Sequence, residues 1–144
     1  MLQFIKDHNQ KGQQAEAMAS NYLQAQGLKK IQSNFSCNCG EIDLIMRDNE
    51  FLVFIEVRYR KQTRFGHPLE TINYAKQKKI IKTVQYFLMK NPAYNQLPCR
   101  IDAVALSSVK SSEKSAPTQV GRGTIAMVDK NTQIDWVKNA IQLM

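Results

Sequence analysis

The sequence predicts an α/β fold, and three stretches carry that expectation. "GQQAEAMASNYLQAQ", Gly12 to Gln26, spaces Ala15, Met18, Ala19, Tyr22 and Leu23 at the i, i+3, i+4, i+7, i+8 intervals of an amphipathic helix closed by Gly27. "EIDLIMR" and "FLVFIEVR" read as two strands of a hairpin around the polar "DNE". From Pro68 to Asn91, Ile80, Ile81, Val84, Phe87 and Leu88 form the apolar stripe of a long second helix, which Asn91-Pro92 ends.

The 144 residues suit one hydrophobic core, and 43% hydrophobic with 22% charged residues is the composition of an ordinary globular protein. We expect residues 1–11 to be an N-terminal extension and residues 12–144 a single domain. No apolar run approaches a bilayer span, and Met1 to Gln10 does not resemble a secretory signal. The expectation is a cytoplasmic protein away from the membrane.

After the first helix, "LKKIQSNF" is a strand and "SCNCG" a turn or loop. Three cysteines are an odd number for a disulfide scaffold, and Cys37 and Cys39 are too close for an easy unstrained bridge. With no C-x-x-C pairing and only Cys99, His8 and His67 to recruit, reduced thiols fit better than zinc. "CRIDAVALSS" is a further strand, residues 107–123 form a mobile loop, "TIAMV" is a short strand, and a closing helix from Thr132 turns Ile134, Val137 and Ile141 inward.

Three carboxylates, Glu41, Asp43 and Glu56, interrupt the hydrophobic hairpin. In the first strand Ile42, Leu44 and Met46 oppose Glu41, Asp43, Ile45 and Arg47; in the second, Leu52, Phe54, Glu56 and Arg58 share one face. A two-residue turn at Asn49 and Glu50 puts Asp43 directly opposite Glu56, with Cβ atoms about 5 Å apart. A turn at Asp48 and Asn49, chemically the more natural choice, pairs Asp43 with Phe54 and makes Glu56 its diagonal neighbour on one face, whereas a three-residue loop without a bulge separates them.

Two acids brought together repel unless a cation compensates, and Mg²⁺ suits a site of one or two carboxylates with retained waters. Asp43 and Glu56 are therefore candidate ligands, joined by a backbone carbonyl of Ile55 or Val57 and by Glu16 from the first helix. Arg58, on the face of Glu56, would offer fixed positive charge to a phosphate. A solvated sheet face, each acid paired with an arginine or lysine, accounts for the same spacing.

Net charge is +8, and between Arg58 and Lys82 eight cations stand against a single acid, Glu70. Arg60, Lys61, Arg64, Lys76 and Lys79 in this arc are candidate nucleic-acid contacts. A solvated helix face with a basic loop is the plainer account of the same run. Lys76, one turn before Ile80, lies beside the apolar stripe, while Lys78, Lys79 and Lys82 are expected to be more exposed.

In order, "GQQAEAMASNYL", "NFSCNCGEIDLIMRD", "FLVFIEVRYR", "FGHPLETINYAKQKKI" and "RIDAVAL" resemble the signatures of the YraN family of uncharacterised bacterial proteins, over roughly Gly12 to Leu106. That family is similar in pattern to the PD-(D/E)XK nucleases. The resemblance implies a restriction-endonuclease-like α/β fold, a mixed central sheet flanked by helices.

Carried over residue by residue, it makes Asp43 and Glu56 metal-binding acids, Glu16 the helix-borne acid, and Lys76 a basic phosphate contact. Asp102 falls in the later strand and is read first as structural. Arg58 stands where the motif has lysine, and arginine keeps its charge where lysine can lose a proton. The resemblance thus implies a Mg²⁺- or Mn²⁺-dependent nuclease acting on nucleic acid, DNA in particular, in branched, nicked or single-stranded form during repair or recombination. The alternative is a non-catalytic or weakly catalytic binding module on the same fold. A symmetric homodimer would suit a branched substrate by analogy of fold.

Overall fold

The computed structural model of the protein describes residues 2–60, 72–108, 118–120 and 123–143. Among these, α1 spans Leu2–Ala25, β1 Lys29–Cys37, β2 Gly40–Asp48, β3 Phe51–Arg60, α2 Tyr74–Lys90, β4 Cys99–Ser108, β5 Thr118–Val120, β6 Gly123–Met127 and β7 Thr132–Ile141, with a 3-10 turn at Pro92–Tyr94 after α2. The strands form one sheet in the order β1-β2-β3-β4-β7-β6-β5. β3 and β4 are parallel and every other neighbouring pair is antiparallel. A parallel pair requires a crossover, and α2 supplies it.

The helices cover opposite faces. Ala15, Ala19 and Leu23 of α1 pack on Leu44, Met46, Val53, Ile55, Val104 and Leu106, whereas Ile80, Val84 and Phe87 of α2 pack on Ile45, Leu52, Phe54 and Ile101. With both faces covered, Leu52, Val53, Phe54 and Ile55 are all fully buried, so β3 reads as a continuous apolar run. This is a mixed, helix-flanked sheet of the restriction-endonuclease-like α/β kind.

The predicted closing helix is a strand instead. In "TQIDWVKNAI", Ile134 packs in the α1 core and Ile141 in the α2 core, as an odd separation along a strand demands. β7 lies between β4 and β6 and its Ile134, Asp135 and Trp136 are all buried, which erases the alternation that marks a half-exposed strand. Asn139, at φ 53°, further breaks the pattern.

Helix boundaries also move. α1 begins at Leu2, so the expected extension continues the helix. α2 begins at Tyr74 because Asn73 is its cap: its side-chain oxygen accepts from the Lys76 N–H at 2.8 Å. Of the expected 107–123 loop, Ser107 and Ser108 end β4, Thr118–Val120 is β5 and Gly123 opens β6, while residues 109–117 and 121–122 lie outside the described residues.

Candidate metal and phosphate site

The β2–β3 register is Asp48↔Phe51 through Leu44↔Ile55, the pairing expected from the turn at Asn49 and Glu50. Asn49 takes φ 55°, the positive value that a two-residue hairpin turn demands and that asparagine tolerates. The paired register ends at Leu44↔Ile55, one residue short of Asp43 and Glu56, which line the same cleft. There the backbone ladder stops, and the Val57 N–H donates to Asp43 Oδ2 at 2.7 Å. A side-chain oxygen thus satisfies a backbone donor at the frayed end of the hairpin.

Asp43 is half-buried and Glu56 only 8% exposed. Burial pushes the Asp43 carboxyl from its ordinary 3.8 up to about 8, helped by the negative charge of Glu56. The Val57 hydrogen bond pulls it down, and the charge of Glu16, with a hydrogen bond between the two side chains, pushes it further up. The oxygen donors and their mutual repulsion fit a hard divalent ion, although no cluster of three or more His, Cys, Asp or Glu side chains forms a ready-made cage among the described residues.

Lys76 supplies one cation: its Nζ lies 2.6 Å from Glu56 Oε1. Lys76 and Lys79 from α2 close one side of an open cleft of about 320 Å³, with Asp43, Glu56, Glu41 and Gly40 also lining it. Gly40 lets the β1–β2 turn approach α2, since at φ 153° an added Cβ would meet Thr83 Oγ1 at 3.0 Å. Lys78, Lys79 and Lys82 are exposed and Lys76 partly so, as the sequence led us to expect.

Arg58 follows Glu56 on the α2 face of β3 and is half-buried. In the same row across the sheet come Ala105 and then Asp135, which is 2% exposed. Lys61 and Arg64 lie outside the described residues, as does the side chain of Arg60.

Asp102 belongs elsewhere. Fully buried at the register shift between β4 and β7, it accepts from Arg100 Nε at 3.0 Å, Trp136 Nε1 at 3.0 Å and the Asn139 N–H at 2.9 Å. Arg100 also reaches Asp48 at 2.7 Å. These bonds tie β4 to β7 on the α1 side, which is a structural role.

Sequence reasoning missed two partners. The Val57 N–H leaves no mark on residue type, and the Lys76–Glu56 pair joins segments twenty residues apart whose packing depends on the α2 crossover. The position of Lys76 one turn before Ile80 marked its side of α2, and the Asn73 cap, which sequence reasoning passed over, marks how near the helix start it stands.

A helix-flanked mixed sheet with two acids at the frayed end of a central hairpin defines a restriction-endonuclease-like α/β protein. The model of the uncharacterised protein family UPF0102 matches residues 15–106, and the chain belongs to this family, the YraN family of the resemblance above. A UPF0102 protein of Nitrosococcus oceani is 48% identical over 106 residues, covering 74% of this chain and 86% of the relative. One from Saccharophagus degradans is 38% identical over 136 residues, 94% of this chain and 96% of the relative. A Coxiella burnetii UPF0102 protein is 39% identical over 132 residues, 92% of each. The family match takes in Glu16, Asp43, Glu56, Arg58 and Lys76. No helix among the described residues is long and apolar enough to cross a membrane.

Proposed function

We propose that the chain is a divalent-metal-dependent nuclease of the PD-(D/E)XK type, hydrolysing phosphodiester bonds of nucleic acid, DNA in particular. The observation that carries this reading is the meeting of Asp43 and Glu56 at the frayed end of β2–β3, in a cleft walled by Lys76 and Lys79. Asp43 and Glu56 would hold Mg²⁺ or Mn²⁺, with Glu16 reaching in from α1. Such an ion supplies charge to a phosphodiester oxygen and lowers the pKa of bound water.

The chain's own groups divide the remaining work. The Val57 N–H fixes one Asp43 oxygen and so orients the carboxyl toward the cleft. Lys79 and the exposed Lys78 and Lys82 attract the polyanion, in keeping with the net charge of +8. Arg58 holds a phosphate by its planar fork, which needs no loss of a proton.

The test is a panel of linear, nicked, flapped and four-way DNA substrates, with and without Mg²⁺ or Mn²⁺, run with wild type, Asp43→Asn and Glu56→Gln. We expect metal-dependent cleavage by wild type, lost in both variants while the fold persists. DNA binding without cleavage of any substrate would replace the nuclease by the binding module on the same fold.

A further inference from the structure

Lys76 stands at the third residue after the Asn73 cap of α2. A cation there faces the positive end of the helix dipole, an unfavourable place unless something opposes it. No acid occupies the first turn of α2. Opposition comes across the cleft from Glu56, whose side chain is 9% exposed and whose Oε1 is 2.6 Å from Nζ. The lysine side chain itself remains 44% exposed, so part of it is open to solvent beside the cleft.

Inner-sphere Mg²⁺ would bring its oxygen ligands to about 2.0–2.1 Å. An ammonium hydrogen-bonded to that carboxylate competes for the same oxygen and repels the incoming charge. We propose that Lys76 is the resident counter-ion of Glu56 in the metal-free protein, and that it releases Glu56 for a substrate phosphate when a divalent cation is held there. This rests on the metal-site reading above. A flexible four-carbon stem permits the move, and the open cleft beside Lys79 gives the ammonium somewhere to go. Lys76 is then a positioning residue with two partners, one for each state of the site.

Lys79 provides the control, because it lines the same cleft with the same charge and is not the cation placed on Glu56 Oε1. Mn²⁺ is titrated calorimetrically, without DNA, into wild type, Lys76→Met and Lys79→Met, with Lys76→Gln as a polar replacement. Lys76→Met and Lys76→Gln should bind Mn²⁺ about two- to fivefold more tightly than wild type, the scale of one partly exposed ion pair removed. Lys79→Met should change affinity by less than about twofold. In a second measurement DNA binding is followed against salt. With Ca²⁺ present the slope should fall by about one in Lys76→Met, and without a divalent ion it should stay at the wild-type value.

Equal tightening in the Lys76 and Lys79 variants would reduce the effect to net charge and overturn the proposal. Wild-type affinity in both Lys76 variants, or an equal loss of salt slope with and without Ca²⁺, would also overturn it while leaving the metal site standing. Absence of Mn²⁺ binding in wild type and all variants would remove the site itself, and the proposal with it.

Discussion

Asparagine at position 43 should change how stability depends on pH, and the sign follows from the burial of the acid. In the metal-free folded protein Asp43 keeps its proton up to about pH 8, and in the unfolded chain only up to about the ordinary 3.8. Between those values the folded state holds the additional proton, so stability falls as pH rises. The contribution is complete below about 3.8 and gone above about 8. Mid-window the slope approaches about 1.4 kcal/mol per pH unit, which gives about 3 kcal/mol between pH 5 and pH 7. Residual exposure and screening bring the expectation to about 2 kcal/mol.

Asp43→Asn keeps an oxygen for the Val57 N–H but does not titrate. Urea unfolding in EDTA at several pH values from 5 to 8, on both proteins, reports the effect of Asp43 together with its coupling to Glu56 and Glu16, because groups remote from it cancel in the difference. Stability of the variant minus that of wild type should rise by about 2 kcal/mol from pH 5 to pH 7. A difference constant to within about 0.5 kcal/mol would refute the reasoning. A difference that fell with pH would mean that Asp43 is held ionised by a favourable partner, the opposite electrostatics.

Two further outcomes test the neighbouring residues. Arg58→Lys should retain metal-dependent cleavage and Arg58→Ala should lose it by about 100-fold, read on one DNA substrate with thermal stability measured in parallel. Loss of stability in Arg58→Ala with cleavage unchanged would confine Arg58 to the sheet, where buried Asp135 shares its row. Asp102→Ala should cost about 3–5 kcal/mol in urea unfolding, because it leaves the Trp136 and Asn139 donors unpaired and takes from partly buried Arg100 one of its two carboxylate partners, Asp48 remaining. Metal binding by whatever folded protein remains should be unchanged.

The hairpin was legible from its two periods, but its register was not, because turn chemistry favoured Asp48–Asn49 whereas the chain turns at Asn49 and Glu50. The positive φ of Asn49, visible only in the fold, settles the turn, and the pairing that follows ends one residue short of Asp43 and Glu56. β4 was read to its start at Cys99, because Pro98 precedes a β-branched and apolar run, while Ser107 and Ser108 were assigned both to the strand and to the following loop. β7 was misread for the reason that makes it central: residues buried on both faces show no period of two, and Ile134, Val137 and Ile141 then mimic a helical stripe. Lys76 was legible as a cation near the site but not as the partner of Glu56. Local sequence records which side of α2 it occupies, whereas the distance to β3 is a property of the whole crossover.

The charges at the cleft form a consistent set when counted by group. Asp43 hydrogen-bonds with Glu16 and is pushed toward its protonated form, and Glu56 is held by Lys76. Two single positive charges, one proton and one ammonium, thus stand beside three carboxyls that burial and mutual repulsion would otherwise set against one another. On the reading proposed here, both are the protein's own substitutes for one divalent charge, and binding should release a proton from Asp43 to solvent as well as the Lys76 ammonium to phosphate. Calorimetry of Mn²⁺ binding at pH 7 in buffers of different ionisation enthalpy would report that proton. The two substitutes differ in what replaces them: the proton is lost to water, whereas the ammonium stays on its tether within the cleft. That difference is what would let one lysine stabilise the empty site and still serve the loaded one.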